Sequence, residues 1–176
     1  MKHATTLLAT LTAGILAVSS PMALADPGHG KGPDIGQPGE DHHVSRTYEI
    51  RMGEMYFKPD TIRVMPGETV RFIVINEGEA VHEFNIGAPE NWDSHLAEME
   101  RMMDEGMIDF DRIDHARMRR MGMMHSDPNA VLLEPGERAE IVWTFPGKPT
   151  EMGFACNVPG HREAGMVGEI VYRGDS

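Results

Sequence analysis

Cys156, His161 and Met166 lie on one short segment, with four residues between each donor and the next. A thiolate, an imidazole and a thioether so close together are ligands for a soft or borderline metal. A second imidazole would complete a blue-copper set of two histidines, one cysteine and a weak axial methionine. His82 is the candidate. It follows Asn76-Glu-Gly-Glu-Ala-Val and precedes Glu83-Phe84, between two segments that read as strands. Cys156 is the only cysteine, so no internal disulfide can form. In an oxidising compartment a lone thiol persists when it is buried, paired between chains, or bound to metal.

Such a site needs elements that bring distant segments together, and the chain is patterned for short strands. Tyr48, Ile50 and Met52 alternate, as do Ile62 and Val64, and then Ala139, Ile141 and Trp143. Val70–Ile75 is a β-branched run that suits a strand buried on both faces. Met152, Phe154 and Cys156 share one face of a later strand, and 167–172 is the last. Pro66-Gly67, Pro135-Gly136 and Pro146-Gly147 separate these runs as turns. Pro159-Gly160 and Gly165 let the donor segment itself bend. The expectation is an all-β fold, a sandwich or Greek-key barrel of seven to eight strands.

The ends of the chain speak to location. Lys2, an apolar run from Leu7 to Val18 and Ala23-Leu-Ala25 form an export signal over residues 1–25. The run is too short to span a bilayer, and no later one is longer. Residues 26–44 are rich in Gly, Pro, charge and histidine (His29, His42, His43) and read as a flexible leader able to recruit metal loosely. Residues 45–176 are then one domain. The formal net charge is −12, and one unit more negative once Lys2 is removed. That balance disfavours nucleic acid and anionic membranes as partners. It suits cations, although solubility alone explains it as well.

At this point the chain resembles the cupredoxins. The resemblance rests on Phe57-x-Pro59, Pro66-Gly67-x-Thr69-Val70, Asn76, His82-x-Phe84 and Cys156-x4-His161-x4-Met166, and covers about residues 45–173. It implies an eight-stranded Greek-key domain with one type 1 copper held by His82, Cys156, His161 and Met166. It also implies that Asn76 tethers the two ligand loops.

Residues 88–129 interrupt the strand rhythm. Asp93 or Ser94 can cap a helix ending at Gly106, and a second suits Asp111–Met121. Eight methionines crowd this insertion: Met99, Met102, Met103, Met107, Met118, Met121, Met123 and Met124, with His95, His115 and His125 among them. On the first helix Leu96, Met99 and Met103 share a face, with Met102 at its edge. Methionine fills irregular core gaps well, and its thioether also binds Cu(I). Both readings stand: core packing, or additional copper at these methionines with His115 and His125.

With an exported cupredoxin domain and a histidine-bearing leader, the insertion makes the chain similar to the periplasmic copper-tolerance cupredoxins of the CopI type. The resemblance implies copper handling under copper stress. The expectation is a periplasmic monomer that binds copper ions or oxidises Cu(I) by one-electron transfer, with a redox or copper-transfer partner. The alternative is a soluble one-electron carrier between redox proteins. A multicopper oxidase is disfavoured, because no His-x-His pair and no second domain of this kind is present.

Overall fold

The computed structural model describes residues 32–124 and 127–174. The export signal, the leader up to residue 31 and His125 lie outside that range. Ten strands form two five-stranded sheets. In the first, β1 (Gln37–Pro38), β8 (Arg138–Thr144), β5 (Thr69–Asn76), β2 (Arg46–Gly53) and β3 (Tyr56–Lys58) lie in that order. In the second the order is β4 (Thr61–Val64), β10 (Val167–Tyr172), β9 (Gly153–Ala155), β6 (His82–Gly87) and β7 (Ala130–Leu133). Pairing is antiparallel except for β2 with β5 and β4 with β10, so both sheets are mixed. The count exceeds the expected seven or eight because β1 and β3 are only two and three residues long. Pieces that short carry no alternation to read.

The core lies between the sheets. Ile50 and Met52, then Val70, Phe72 and Val74, face Phe84, Ile86 and Phe154, and all are wholly buried. Phe154 holds the centre, with ring centroids 5.1 Å from Phe57 and 5.2 Å from Phe84. Aromatic pairs at such spacings add about 0.5–1.5 kcal/mol beyond the area they bury. β5 departs from expectation. Val70, Phe72 and Val74 are buried, while Arg71, Ile73 and Ile75 are half-buried. Its outer face is not covered by a further layer, and Arg71 pairs there with Asp41 and Glu140.

The described part of the leader is ordered rather than flexible. β1 pairs with β8, Ile35 is buried, and Trp143 Nε1 donates to the Ile35 carbonyl at 2.8 Å. A single hydrophobic anchor and a two-residue ladder give no periodicity, which is why the composition misleads.

The insertion joins β6 to β7, which are antiparallel neighbours. It therefore leaves and re-enters the sheet at adjoining points. It holds two helices, α1 (Pro89–Asp104) and α2 (His115–Met121). α1 starts ahead of the expected Asp93 or Ser94. Pro89 takes the first helical position, where its missing N–H costs nothing. Asn91 Oδ1 accepts from the Ala88 N–H at 3.0 Å. α2 starts at His115 because Asp114 caps it, accepting from Arg117 N at 2.8 Å. Residues 107–114 instead fold through an Ile108–Ile113 bridge. Gly122, with φ 68°, ends α2 as expected.

Candidate metal centre

The strand registers bring the donors to one end of the second sheet. β9 lies between β6 and β10, antiparallel to both. Ala155 pairs with Asn85 on one side and with Val167 on the other. Cys156, immediately after β9, therefore sits near His82 at the start of β6 and Met166 just before β10. The segment from Cys156 to Met166 closes on itself. Cys156 N donates to the Met166 carbonyl (3.1 Å), Met166 N to the His161 carbonyl (3.0 Å), and His161 N to the Val158 carbonyl (3.0 Å). Gly160 and Gly165 take φ of 89° and 98°, the left-handed region that favours glycine.

His82 Nδ1 lies 3.2 Å from His161 Nδ1, and Cys156 Sγ lies 3.4 Å from the same His161 nitrogen. One donor atom from each residue falls within 4.8 Å of the others. His82, Cys156 and Met166 are wholly buried and His161 is half-buried. Two ring nitrogens facing each other share at most one proton, so a lone pair is aimed into the gap. Among the described residues, the group that converges holds no carboxylate. An imidazole pair with a thiol, with buried Met166 on the same closed segment, fits copper by donor softness. A second triad, Glu40 with His42 and His43, is fully exposed.

Burial governs the ionisation here. It pushes the Cys156 thiol up to about 12, against a lowering by the Glu83 N–H, which donates to Sγ at 3.3 Å. Burial and then the charge of His161 pull His82 down to about 4, although Glu54 opposes the shift. His161 is lowered too, chiefly by burial. Both imidazoles thus stay neutral, as metal ligands must.

Asn76 does not join the two ligand loops. Its Nδ2 donates to the carbonyls of Ala80 (2.8 Å) and Leu133 (2.9 Å), and its Oδ1 accepts from Gly78 N (3.0 Å). It shapes the loop before His82 and ties that loop to β7. The tether between the ligand loops is Glu83, which sequence reasoning missed. Glu83 is 3% exposed although it is an acid. Its Oε2 accepts from Asn157 N (3.1 Å) and Asn157 Nδ2 (2.7 Å), and its Oε1 lies 3.1 Å from His95 Nε2 on α1. Burial pulls His95 down, but the hydrogen bond and charge of Glu83, with Asp127 and Glu98, outweigh it and raise His95. The available signal was Glu83 itself, an acid between His82 and Phe84 in a strand buried on both faces.

Glu54 was missed as well. Its Oε1 accepts from Glu79 N and stands 3.8 Å from His82 Nε2, which has no hydrogen-bond partner. Gly78 makes that approach possible, because a Cβ there would sit 2.6 Å from Glu54 Oε1 and 3.0 Å from His82 Nε2.

The insertion methionines divide. Met99, Met102, Met107, Met118 and Met123 are buried, which packing and a buried metal site would both require. Met103, Met121 and Met124 are exposed. Met102, not Met103, faces inward on α1, because the buried face runs through Trp92, Met99 and Met102. The insertion also grips the centre. Val81 N donates to the Phe110 carbonyl (2.7 Å), and Arg162 Nη2 to Asp93 Oδ1 (2.8 Å). His115 is exposed at the start of α2.

Residues 44–173 match the family described as copper binding proteins, plastocyanin/azurin family. The chain is 45% identical over 160 residues to the copper-resistant cuproprotein CopI of Pseudomonas aeruginosa, covering 84% of this chain and 86% of that protein. It is 37% identical over 172 residues to CopI of Rubrivivax gelatinosus, covering 90% and 93%. In fold it is similar to dithionite-reduced auracyanin from Roseiflexus castenholzii, with TM-score 0.53, 24% identity, and 74% and 99% of the two chains covered. Auracyanin B gives TM-score 0.55 at 18% identity, over 81% and 96%.

Proposed function

This chain belongs to the plastocyanin/azurin family of copper-binding proteins, and from that premise we propose that it is a type 1 copper protein serving copper tolerance in the periplasm. Export follows cleavage after Ala25, and a single domain from residue 45 carries the function as a Greek-key monomer. His82, Cys156 and His161 would hold the metal, with Met166 as the weak fourth donor. The carrying observation is the convergence of His82 Nδ1, His161 Nδ1 and Cys156 Sγ in a buried place at one end of the sandwich. Copper held by this set supplies one-electron chemistry, cycling between Cu(I) and Cu(II). The chain's own part is to keep two imidazoles neutral, exclude water from Cys156 and Met166, and fix the loops through Glu83 and Asn157.

Cuprous ion is then the substrate. It would lose one electron to an electron-accepting protein partner, the one-electron chemistry being what a copper held by His82, Cys156, His161 and Met166 would supply. The tolerance role is supported by the high identity to proteins named for copper resistance. A second reading, a one-electron carrier, is favoured by the half-buried edge of His161 beside half-buried Pro159 and exposed Ala164 and Val167. That rim suits brief contact with a redox protein.

The test of the centre is the absorption spectrum of the Cu(II)-loaded protein. A strong thiolate-to-copper band is expected, and Cys156→Ser should abolish it. A wild-type protein without that band would sink the assignment. The two roles separate in a deletion strain. Copper sensitivity rescued by wild type but not by Cys156→Ala is expected for tolerance, and normal growth on copper would favour the carrier.

A further inference from the structure

Between the two helices and the outer face of β6 and β7 lies a cleft of about 390 Å³. Five of its wall residues offer soft or borderline donors, Met99, Met102, Met118, Met124 and His115, while His95 in the same wall is held by Glu83. They are graded by depth. Met99, Met102 and Met118 are buried, His95 is half-buried, and His115 and Met124 are exposed. The three buried methionines come from both helices, so helix packing, not sequence adjacency, assembles the group.

We propose that this cleft is a second metal site, distinct from the Cys156 centre, that takes a soft monovalent cation. Naming that cation as cuprous ion rests on the copper reading given above.

Three physical arguments support it. The cleft opens to solvent at His115 and Met124, and its volume falls in the range of about 300–1,000 Å³ typical of ligand sites. Second, its donors select for softness. Thioethers are neutral and need no deprotonation, so they suit Cu(I) and leave a hard divalent ion poorly compensated for lost water. Methionine also has three rotatable bonds, which lets several thioethers close on an ion far smaller than the space. Third, the field is favourable. The chain carries a formal net charge of −12, and Glu83 and Asp127 stand in the cleft wall. Glu83 already accepts from Asn157 and meets His95, so it contributes field more than ligation.

The position is informative. Glu83 lines the cleft on one side of β6, while its own N–H donates to Cys156 Sγ at 3.3 Å. Glu83 is therefore a neighbour of both the cleft and the thiol. A cuprous ion resting in the cleft would be held beside the centre before oxidation or hand-over.

The test uses Ag(I), a soft monovalent ion that does not change oxidation state, on protein carrying Cys156→Ser. Removing the thiol silences the stronger soft site. With methionine methyl groups labelled, one equivalent of Ag(I) should move the NMR signals of Met99, Met102, Met118 and Met124. The signals of Met52 and Met152, elsewhere in the core, should stay in place. The double variant Met102→Leu, Met118→Leu conserves volume and should keep the fold. It should weaken Ag(I) binding by at least about tenfold. Zn(II) should not compete. Equal Ag(I) affinity in the double variant, signals moving only outside the cleft, or displacement by Zn(II) would each overturn the proposal. The outcome is separable from that of the copper centre. Ag(I) in the cleft of a protein whose wild type lacks the thiolate band would leave this site standing and the other not.

Discussion

Burial at the donor residues has an opposite consequence for the thiol and for the imidazoles. Cys156, pushed up to about 12, keeps its proton in the metal-free protein at neutral pH. Metal capture must expel that proton, so affinity rises with pH. His82, pulled down to about 4 from 6.5, stays neutral in the fold over a range where the unfolded chain takes up a proton. His161 is shifted the same way. Between those two pKa values the unfolded state binds more protons, so stability rises with pH there. The metal-free protein should thus be fully stabilised above about 6.5 and lose this contribution as pH falls towards about 4. Urea unfolding of metal-free wild type near pH 7 and near pH 5 reads it, and His82→Asn should flatten the slope. A metal-free protein equally stable at both would contradict the buried neutral imidazoles. Met166 makes no such demand, because a thioether does not titrate.

At the scale of elements, the centre is a product of register. Pairing of β9 with β6 and β10 delivers His82, Cys156 and Met166 to one end of the second sheet. The donors and the last strand were legible in the sequence, the pairing was not. β10 runs over the expected 167–172, and the donor spacing with its Pro-Gly and Gly bends stood in plain sequence. What sequence could not show depends on partners far along the chain. Glu83 is tolerated inside a strand because Asn157, 74 residues away, and His95, 12 residues away, meet its carboxylate beside a long contact from its strand neighbour Asn85. The α1 start was misplaced because Asp93 and Ser94 are good caps in isolation, while Pro89 and Asn91 act together. Residues 35–38 lie against the first sheet because one buried Ile35 and two paired residues outweigh the local composition. The Glu83 tether is testable. Glu83→Gln keeps the shape but removes the charge and replaces one acceptor oxygen with an NH2 donor, so it can still accept from Asn157 but no longer accepts from a protonated His95 Nε2. We expect a loss of about 1–3 kcal/mol in denaturant unfolding of the metal-free protein, and a shifted thiolate band in the copper form. A change within about 0.5 kcal/mol, as for ordinary surface substitutions, with an unmoved band would show that the tether is idle.

At the scale of the molecule, the open matter is whether the insertion is an appendage or a third layer. β6 and β7 are adjacent, with Asn85 opposite Ala130, so a short turn could join them and leave both sheets intact. Closing a shorter loop costs little by itself. The burial pattern argues against an appendage. All six residues of β6 are buried. Phe84 and Ile86 face the sandwich core, while Glu83 and Asn85 lie on the opposite face, against the insertion. Deleting residues 88–129 would therefore expose Glu83 and Asn85 and remove His95, Asp93 and the Phe110 carbonyl from the loops of the centre. None of His82, Cys156, His161 and Met166 would be lost. A chain with 88–129 replaced by an Asn-Gly turn should still develop a thiolate band with copper. The band should be shifted, and the metal-free melting midpoint should fall by about 5 °C or more, corresponding to roughly 1–2 kcal/mol for a domain of this size. Differential scanning calorimetry beside the absorption spectrum reads both. An unchanged midpoint with an unchanged band would make the insertion a passenger. A lowered midpoint with a shifted band would make it a structural cover for the metal centre, over and above anything its methionines bind.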